Sequence, residues 1–248
     1  MMLILTYHII SAAHTPVSSD FYTISETQLQ RQLAALRQAG RKCLEPAALL
    51  DKKISDKNFL LTFDDGSIDH LEIVAPILER NDCRAIFFIP TSKLDRAGYL
   101  NKAQVRTLSE QGHSVGVHSH EHRRMDQSSD SEIREQLKKS SELLEEITGR
   151  PSPFFAPPGG YFNSRVQSVA LELGLKIIRT MKWGYNKRID LTALETVPVN
   201  RTMTEKKFQK ILESKNNGWL YASKEGLKTI LPMQSYARLR NAVLRGKP

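Results

Sequence analysis

Two clusters of ionisable side chains in this sequence have types and spacing that suit chemistry. Asp64 and Asp65 are adjacent and are followed by a glycine, and His118, His120 and His122 fall within five residues. Imidazoles and carboxylates bind divalent ions and carry protons, and a site with few protein ligands leaves coordination positions open for water and substrate. The sequence therefore predicts a catalytic metal centre, provided that the fold brings the two clusters together.

The histidine spacing leaves two ligand sets open. On a helix or helical turn, His118 and His122 share one face, and a carboxylate from Asp64 or Asp65 would complete a site of two histidines and one acid. In an extended segment, His120 would join them instead. Zinc is the default ion for such ligands, and iron, cobalt, nickel and manganese are alternatives. The structural alternative is a turn-forming Asp-Asp-Gly and solvated loop histidines.

Both clusters follow apolar segments of the kind that form buried parallel strands, at residues 59–63 and 113–117. Strands and helices alternate along the chain, for example where Ser129 and Glu132 predict a capped helix start, so we expect a parallel sheet covered by helices. Some seven strands favour a closed or nearly closed (β/α) barrel, with an open doubly wound sheet as the alternative. In either fold, active sites lie at the carboxyl ends of strands. Other predicted elements include a strand over 3–7, a polar loop over 11–24, a helix over 69–81 kinked at Pro76, and a strand over 176–179.

Length and composition favour one large domain. The chain has 248 residues, 40% of them hydrophobic, and a formal charge of +9. We expect a barrel over 1–215 and a basic extension over 216–248, since residues 226–248 hold five basic residues and no acidic one. Such a tail favours anionic surfaces such as membrane headgroups, while a solvated helix is the alternative. No nucleic-acid-binding motif is present, so no nucleic-acid partner is expected.

The remaining compositional signals concern the compartment. Cys43 and Cys83 do not form a CxxC pair, so we expect reduced core thiols. The apolar opening Met1–Leu5 has no basic leader and is too short for a signal peptide or a transmembrane segment. We therefore expect a cytoplasmic protein, with peripheral membrane contact as an option.

Three motifs together resemble the polysaccharide deacetylase family, also called carbohydrate esterase family 4 or the NodB homology domain. Thr62–Gly66 matches the family's TFDDG motif, His118–His122 matches H-[ST]-x-x-H, and Ala156–Gly160 is similar to R-x-P-x-G. The resemblance runs from about residue 3 to about residue 200. It implies a distorted (β/α)7 barrel and the metal-dependent removal of an N- or O-acetyl group, or a formyl group, from a sugar.

The resemblance also implies roles for the two clusters. Asp65, His118 and His122 would be the metal ligands and Asp64 the general base. One divalent ion would polarise both the acetyl carbonyl and a bound water, whose pKa can fall to roughly 7, and the neighbouring carboxylate would take the proton of that water.

The sequence departs from the family pattern at two places. No histidine follows position 122, so the family's late Leu-x-His, which protonates the leaving amine, is absent. His8 is the expected substitute, because an N-terminal Tyr-His is similar to the circularly permuted poly-N-acetylglucosamine deacetylase branch; a core histidine is the alternative. Ala156 replaces the arginine that pairs with the base, so either another cation or none acts on Asp64.

Further positions carry expectations about the substrate, an N-acetylated sugar in a polymer or in a lipid- or nucleotide-linked glycan. The backbone N–H near Gly159, in the loop with Pro158, could face the oxyanion. Trp183 resembles the aromatic residue of the family's acetyl pocket, although an aromatic core residue fits as well. The rival function is a catalytically weakened NodB-like carbohydrate-binding module, suggested by Ala156 and the missing late histidine. The complete set of acids and histidines argues against it.

Overall fold

The computed structural model describes residues 1–12 and 20–213, in which strands and helices alternate as expected. The strands are β1 (Leu3–Tyr7), β2 (Ile9–Ser11), β3 (Thr23–Ser25), β4 (Lys42–Cys43), β5 (Asn58–Asp64), β6 (Ala85–Ile89), β7 (Ser114–Val117), β8 (Phe154–Phe155), β9 (Ile177–Trp183) and β10 (Leu194–Pro198). The α-helices are α1 (Glu26–Gln38), α2 (Ala75–Arg80), α3 (Lys102–Glu110), α4 (Asp130–Thr148), α5 (Ser164–Glu172) and α6 (Glu205–Glu213).

Seven parallel strands close into a barrel. Their order is β1-β10-β9-β8-β7-β6-β5, and a further pairing of β1 with β5 completes the ring, while the short β4 pairs with β5. The predicted (β/α)7 barrel is confirmed. The open doubly wound sheet is excluded because the two ends of the strand order, β1 and β5, pair with each other. The first and last strands of the barrel are neighbours, since β1 pairs with β10.

The strand register brings chosen residues together at the carboxyl end of the barrel. Tyr7 of β1 pairs with Phe63 of β5. The residues that come next are His8, directly after β1, and Asp64, the last residue of β5, so the register places these two side by side where the strands end.

Alternate residues of each strand enter two different apolar layers, as the pleat requires. On β1, Leu3, Leu5 and Tyr7 pack into the layer between the barrel and the helices, whereas Ile4 packs into a smaller cluster inside the barrel. The interior cluster draws residues from most of the strands: Met2, Ile4, Leu60, Ile86, Phe88, Phe154, Ala156, Ile177 and Leu194, together with Leu44 and Leu49.

A polar layer lies above this apolar floor. The hydroxyl of Thr6 is 2.9 Å from that of Thr62 and 2.7 Å from that of Thr196, and all three residues are buried. Thr6 and Thr62 each lie two residues before a site residue in the sequence, His8 and Asp64. The barrel interior therefore passes from apolar side chains to hydroxyls and then to charged groups.

Several local elements differ from the sequence expectation. The segment expected as one helix over 69–81 is a π-helix at His70–Val74 followed by α2, with Pro76 in the first turn of α2, where its missing N–H is harmless. The predicted loop over 11–24 contains parts of the β2–β3 pair, and β9 runs beyond residue 179. The capped start of α4 is confirmed, because Ser129 and Glu132 form a capping box.

Some expectations fall outside the described residues. The basic extension 216–248, and with it the proposed membrane contact, lies beyond residue 213. None of the described helices is long and apolar enough to cross a membrane. Cys43 and Cys83 are both free thiols; Cys83 is buried and Cys43 is partly buried.

Gly116 on β7 tests how tightly the interior is packed. A Cβ at this position would lie 2.4 Å from Cδ1 of Phe88 and 3.2 Å from Cγ2 of Ile86. We expect Gly116→Ala to lower the free energy of unfolding by about 1–3 kcal/mol in urea titrations, because the ring must leave its position. Adding Phe88→Leu should reverse part of the loss in a double-mutant cycle, and an unchanged urea midpoint for Gly116→Ala would contradict this packing.

Candidate active site

The two clusters meet at the carboxyl end of the barrel. Asp64 is the last residue of β5 and Asp65 follows it, while His118 follows β7. Asp65, His118 and His122 each offer one ligand atom, and these three atoms lie within 4.8 Å of one another. The structure thus brings together the three residues that the family resemblance implies as metal ligands.

The distances in this triad suit one ion. Nε2 of His122 is 2.8 Å and Nε2 of His118 is 3.8 Å from Oδ1 of Asp65. Ligand atoms placed tetrahedrally around zinc lie roughly 3.3 Å apart, given bond lengths near 2.0–2.1 Å. Both observed distances fall close to this spacing, so small side-chain rotations would let the triad hold a divalent ion.

His118 is prepared for ligation by its surroundings. Its Nδ1–H donates to the backbone carbonyl of Ala156 at 2.6 Å, which directs the lone pair of Nε2 towards Asp65. Burial lowers the pKa of His118 to about 4, although the charges of Asp64 and Asp65 act in the opposite direction. The imidazole is therefore neutral at neutral pH, as a ligand must be.

Asp65 stays ionised. Burial acts to raise its pKa, but the hydrogen bond from His122 and the nearby His118 outweigh burial and hold the pKa well below the usual range. Lys93 also contacts this carboxylate, with its Nζ 3.5 Å from Oδ1 of Asp65 and 5.0 Å from the centroid of the Tyr99 ring. A lysine in the loop after β6 carried no sequence signal for this contact.

The segment 118–122 is neither a helical turn nor extended, so both backbone expectations for the histidines are wrong. Ser119 and His122 have φ of +59° and +58°, and the Ser119 hydroxyl accepts a hydrogen bond from the His122 N–H at 3.0 Å. This bend turns His118 and His122 inward. His120 points elsewhere, with Nδ1 2.8 Å from the Thr91 hydroxyl.

Asp64 has a different environment from its neighbour. Both of its carboxylate oxygens accept hydrogen bonds from Nη2 of Arg179 on β9, and the two side chains are 4% and 2% exposed. Burial acts to raise the pKa of Asp64, but the charges of Arg179, His118 and His8 together outweigh burial and lower the pKa. The sequence left open whether another cation replaces the family arginine, and Arg179 supplies one. A charged residue directly after the apolar pair Ile177 and Ile178 was the available signal.

His8 lies beside Asp64, with its Nε2 3.9 Å from Oδ2 of the carboxylate. The ring stacks on Tyr22 at 4.4 Å between centroids, and Nε2–H of His70 donates to the His8 carbonyl at 2.7 Å. Burial lowers the pKa of His8, while Asp64 and Asp65 counteract this effect. The structure therefore brings the proposed acid and the proposed base together.

The loop that carries the third motif forms a tight turn. Pro158 begins a single 3-10 turn in which Gly159 and Gly160 have φ of +62° and +74°. The N–H groups of Gly160 and Tyr161 donate within the loop, to the carbonyls of Pro157 and Pro158. Of these three consecutive N–H groups, that of Gly159 stays the candidate oxyanion donor.

Trp183 ends β9 and is half-buried. Its ring meets Tyr185 edge-on at 5.6 Å, and it packs against the layer between the barrel and the helices. This placement matches the alternative of an aromatic core residue. A contribution to an acetyl pocket stays a prediction.

Comparisons with known proteins agree with this geometry. A family model described as polysaccharide deacetylase matches residues 51–178. The putative polysaccharide deacetylase YxkH of Bacillus subtilis (strain 168) is 24% identical over 217 residues, which cover 85% of this chain and 76% of YxkH. A peptidoglycan-N-acetylglucosamine deacetylase of Bacillus cereus is 29% identical over 150 residues, 59% of this chain and 67% of the relative.

A solved structure supports the fold independently. The Streptococcus pyogenes deacetylase PplD, in complex with acetate, has a TM-score of 0.75 and 23% identity, covering 86% of this chain and 98% of PplD. The family model spans just over half of the sequence and includes the segments of the acid pair and the histidines. The chain therefore belongs to the polysaccharide deacetylase family of hydrolases.

Proposed function

We propose that this chain is a metal-dependent hydrolase that removes an N-acetyl group from a sugar in a glycan. An O-acetyl group and a formyl group are the alternative acyl groups that it could remove. The observation that carries the proposal is the division of the acid pair, in which Asp65 faces His118 and His122 while Asp64 faces Arg179.

Asp65, His118 and His122 would hold the ion, with zinc as the default and iron, cobalt, nickel and manganese as alternatives. A divalent ion bound there supplies Lewis-acid polarisation of the acyl carbonyl and makes a water more acidic. The neutral imidazole of His118 and the ionised carboxylate of Asp65 fit this use.

Asp64 would act as general base. Its lowered pKa keeps it ionised at neutral pH, and its pairing with Arg179 separates it from the ligand triad. From the end of β5 its carboxylate can accept the proton of the attacking water.

His8 would then protonate the leaving nitrogen. Its Nε2 faces the carboxylate of Asp64, and the stacking of its ring on Tyr22 fixes the plane of the ring. The backbone N–H of Gly159 would donate to the oxygen that becomes negative during attack.

N-acetylglucosamine is the first sugar to test, because the name of the Bacillus cereus relative states that it acts on N-acetylglucosamine in peptidoglycan. A cytoplasmic location would favour a lipid- or nucleotide-linked form of the sugar, and this location stays a prediction.

The rival function, a non-catalytic carbohydrate-binding module, drew its support from Ala156 and the missing late histidine. Arg179 contacts Asp64 and His8 lies beside it, and these contacts support the enzyme over the binding module.

Metal binding tests the ligand set. We expect one divalent ion per chain by elemental analysis, its loss together with activity on dialysis against a chelator, and recovery of activity on re-addition. His122→Ala should lose the ion because it removes one of three ligands. His120→Ala is the matched control and should keep it, since His120 bonds to Thr91 instead. Equal metal content in the two variants would contradict this assignment.

Asp64→Asn tests the base. The amide cannot accept a proton, so acetate release from N-acetylglucosamine oligomers should fall by roughly 10²–10⁴-fold, while metal content stays at one ion per chain. Turnover equal to that of the unaltered chain would show that the base lies elsewhere.

His8→Ala tests the acid through the leaving group. Acetate release from an amide should fall by roughly 10²-fold or more, because an amine leaves poorly without a proton. Hydrolysis of an activated aryl acetate, whose phenolate needs no proton, should fall far less. A loss of equal size on both substrates would argue that His8 has only a structural role.

A further inference from the structure

Positions 156 and 179 are neighbours across two strands. Phe155 of β8 pairs with Ile178 of β9. The next residues, Ala156 and Arg179, therefore lie side by side, about 4.8 Å apart in the hydrogen-bonding direction. Both face the barrel interior, since Ala156 packs into the interior cluster and Arg179 follows Ile177, another member of that cluster, by two residues.

The side chain of Arg179 must cross the barrel to reach Asp64. On one side of the ring β1 and β10 separate β9 from β5, so the ion pair spans the interior rather than a strand edge. On the way, the guanidinium passes over the ring of Phe88, 5.1 Å from its centroid. An arginine starting from position 156 would enter the same space.

The polar contacts of Arg179 are directed to Asp64. Nη2 contacts both carboxylate oxygens, whereas Nε and Nη1 are buried without a hydrogen-bond partner in the part of the chain that the structure describes. A buried arginine that ties the fold together would use its five donors on several groups. A buried pair with unused donors contributes little to stability compared with apolar packing, which indicates a role at the site.

We propose that Arg179 is the positioning residue for the proposed base, and that it performs from β9 the task that the family motif gives to an arginine at position 156. This inference rests on the proposed function. By engaging both oxygens of Asp64 from the β9 side, Arg179 keeps that carboxylate out of the ligand triad and aimed at the attacking water. Asp65 then stays the single acidic ligand.

The test moves the arginine between the two strands. We compare Arg179→Gln, Arg179→Lys, Arg179→Ala and the relocation variant Arg179→Ala with Ala156→Arg, measuring kcat, KM and metal content on N-acetylglucosamine oligomers. Arg134→Gln is the control for loss of an arginine–carboxylate pair elsewhere, because Arg134 pairs with Glu172 between α4 and α5.

We expect Arg179→Gln to keep one ion and a KM within about threefold, while kcat falls by roughly 100-fold, since the loss concerns a group that acts in the transition state. Arg179→Lys should keep more activity than Arg179→Gln because it keeps the charge. The relocation variant should exceed Arg179→Ala by about tenfold or more, and Arg134→Gln should match the unaltered chain.

Three results would overturn the inference. The first is a kcat of Arg179→Gln near that of the unaltered chain, and the second is a variant whose activity falls through a higher KM or a lost ion rather than through kcat. The third is equal impairment of Arg179→Lys and Arg179→Gln, together with no gain in kcat for the relocation variant. If Arg179→Ala does not fold, the comparison of kcat between Arg179→Lys and Arg179→Gln still tests the inference. Failure of the proposed function itself is recognised separately, because the unaltered chain would then release no acetate.

Discussion

The site depends on burying one carboxylate without losing its charge. Removing an ion from water costs several kcal/mol, and a charge left unpaired inside a protein by loss of its partner costs about 3–5 kcal/mol. Asp64 meets this condition through Arg179, from the far side of the barrel. Asp65, one residue later, has φ of +77°, and its carboxylate meets the two histidines instead. The neighbouring acids therefore face different partners, a guanidinium in one case and two imidazoles in the other.

The barrel makes this division possible because its interior is shared by all seven strands. β1 pairs with both β5 and β10, which brings the N-terminal His8 next to a residue 56 positions later in the chain. Beneath the site, the hydroxyl of Thr6 bonds to those of Thr62 and Thr196, so the interior becomes polar near the carboxyl ends of the strands. Below them the cluster is apolar and gives the site a rigid base.

Much of this could be predicted from the sequence, because runs such as residues 59–63 and 113–117 have the composition of buried parallel strands. The meeting of Asp65 with the histidines followed from the rule that strand ends share one edge. The bend at 118–122 could not be predicted, since it depends on positive φ at Ser119 and His122, which nothing in the local residue types requires. Trp183 shows a similar limit: an aromatic side chain has the same sequence signal in a core and in a pocket.

Arg179 was missed for a different reason. Its partner lies 115 residues away, and the contact runs across the barrel rather than along a ladder, so neither periodicity nor register at one strand reveals it. The sequence did contain a contradiction, the charged Arg179 directly after the apolar pair Ile177 and Ile178 at the start of β9. Such a contradiction indicates that a buried partner of opposite charge exists, but not which one.

Position 156 explains why a family motif can lose its side chain and still serve the site. Its backbone carbonyl accepts the hydrogen bond that orients His118, and a backbone group is present whatever the side chain. The side-chain task depends only on a cation reaching Asp64 from the interior, and a parallel neighbour in register enters the same space. A small residue at 156 also leaves room for the guanidinium from β9. The backbone contribution is therefore tied to its place in the chain, whereas the side-chain contribution can move to the adjacent strand.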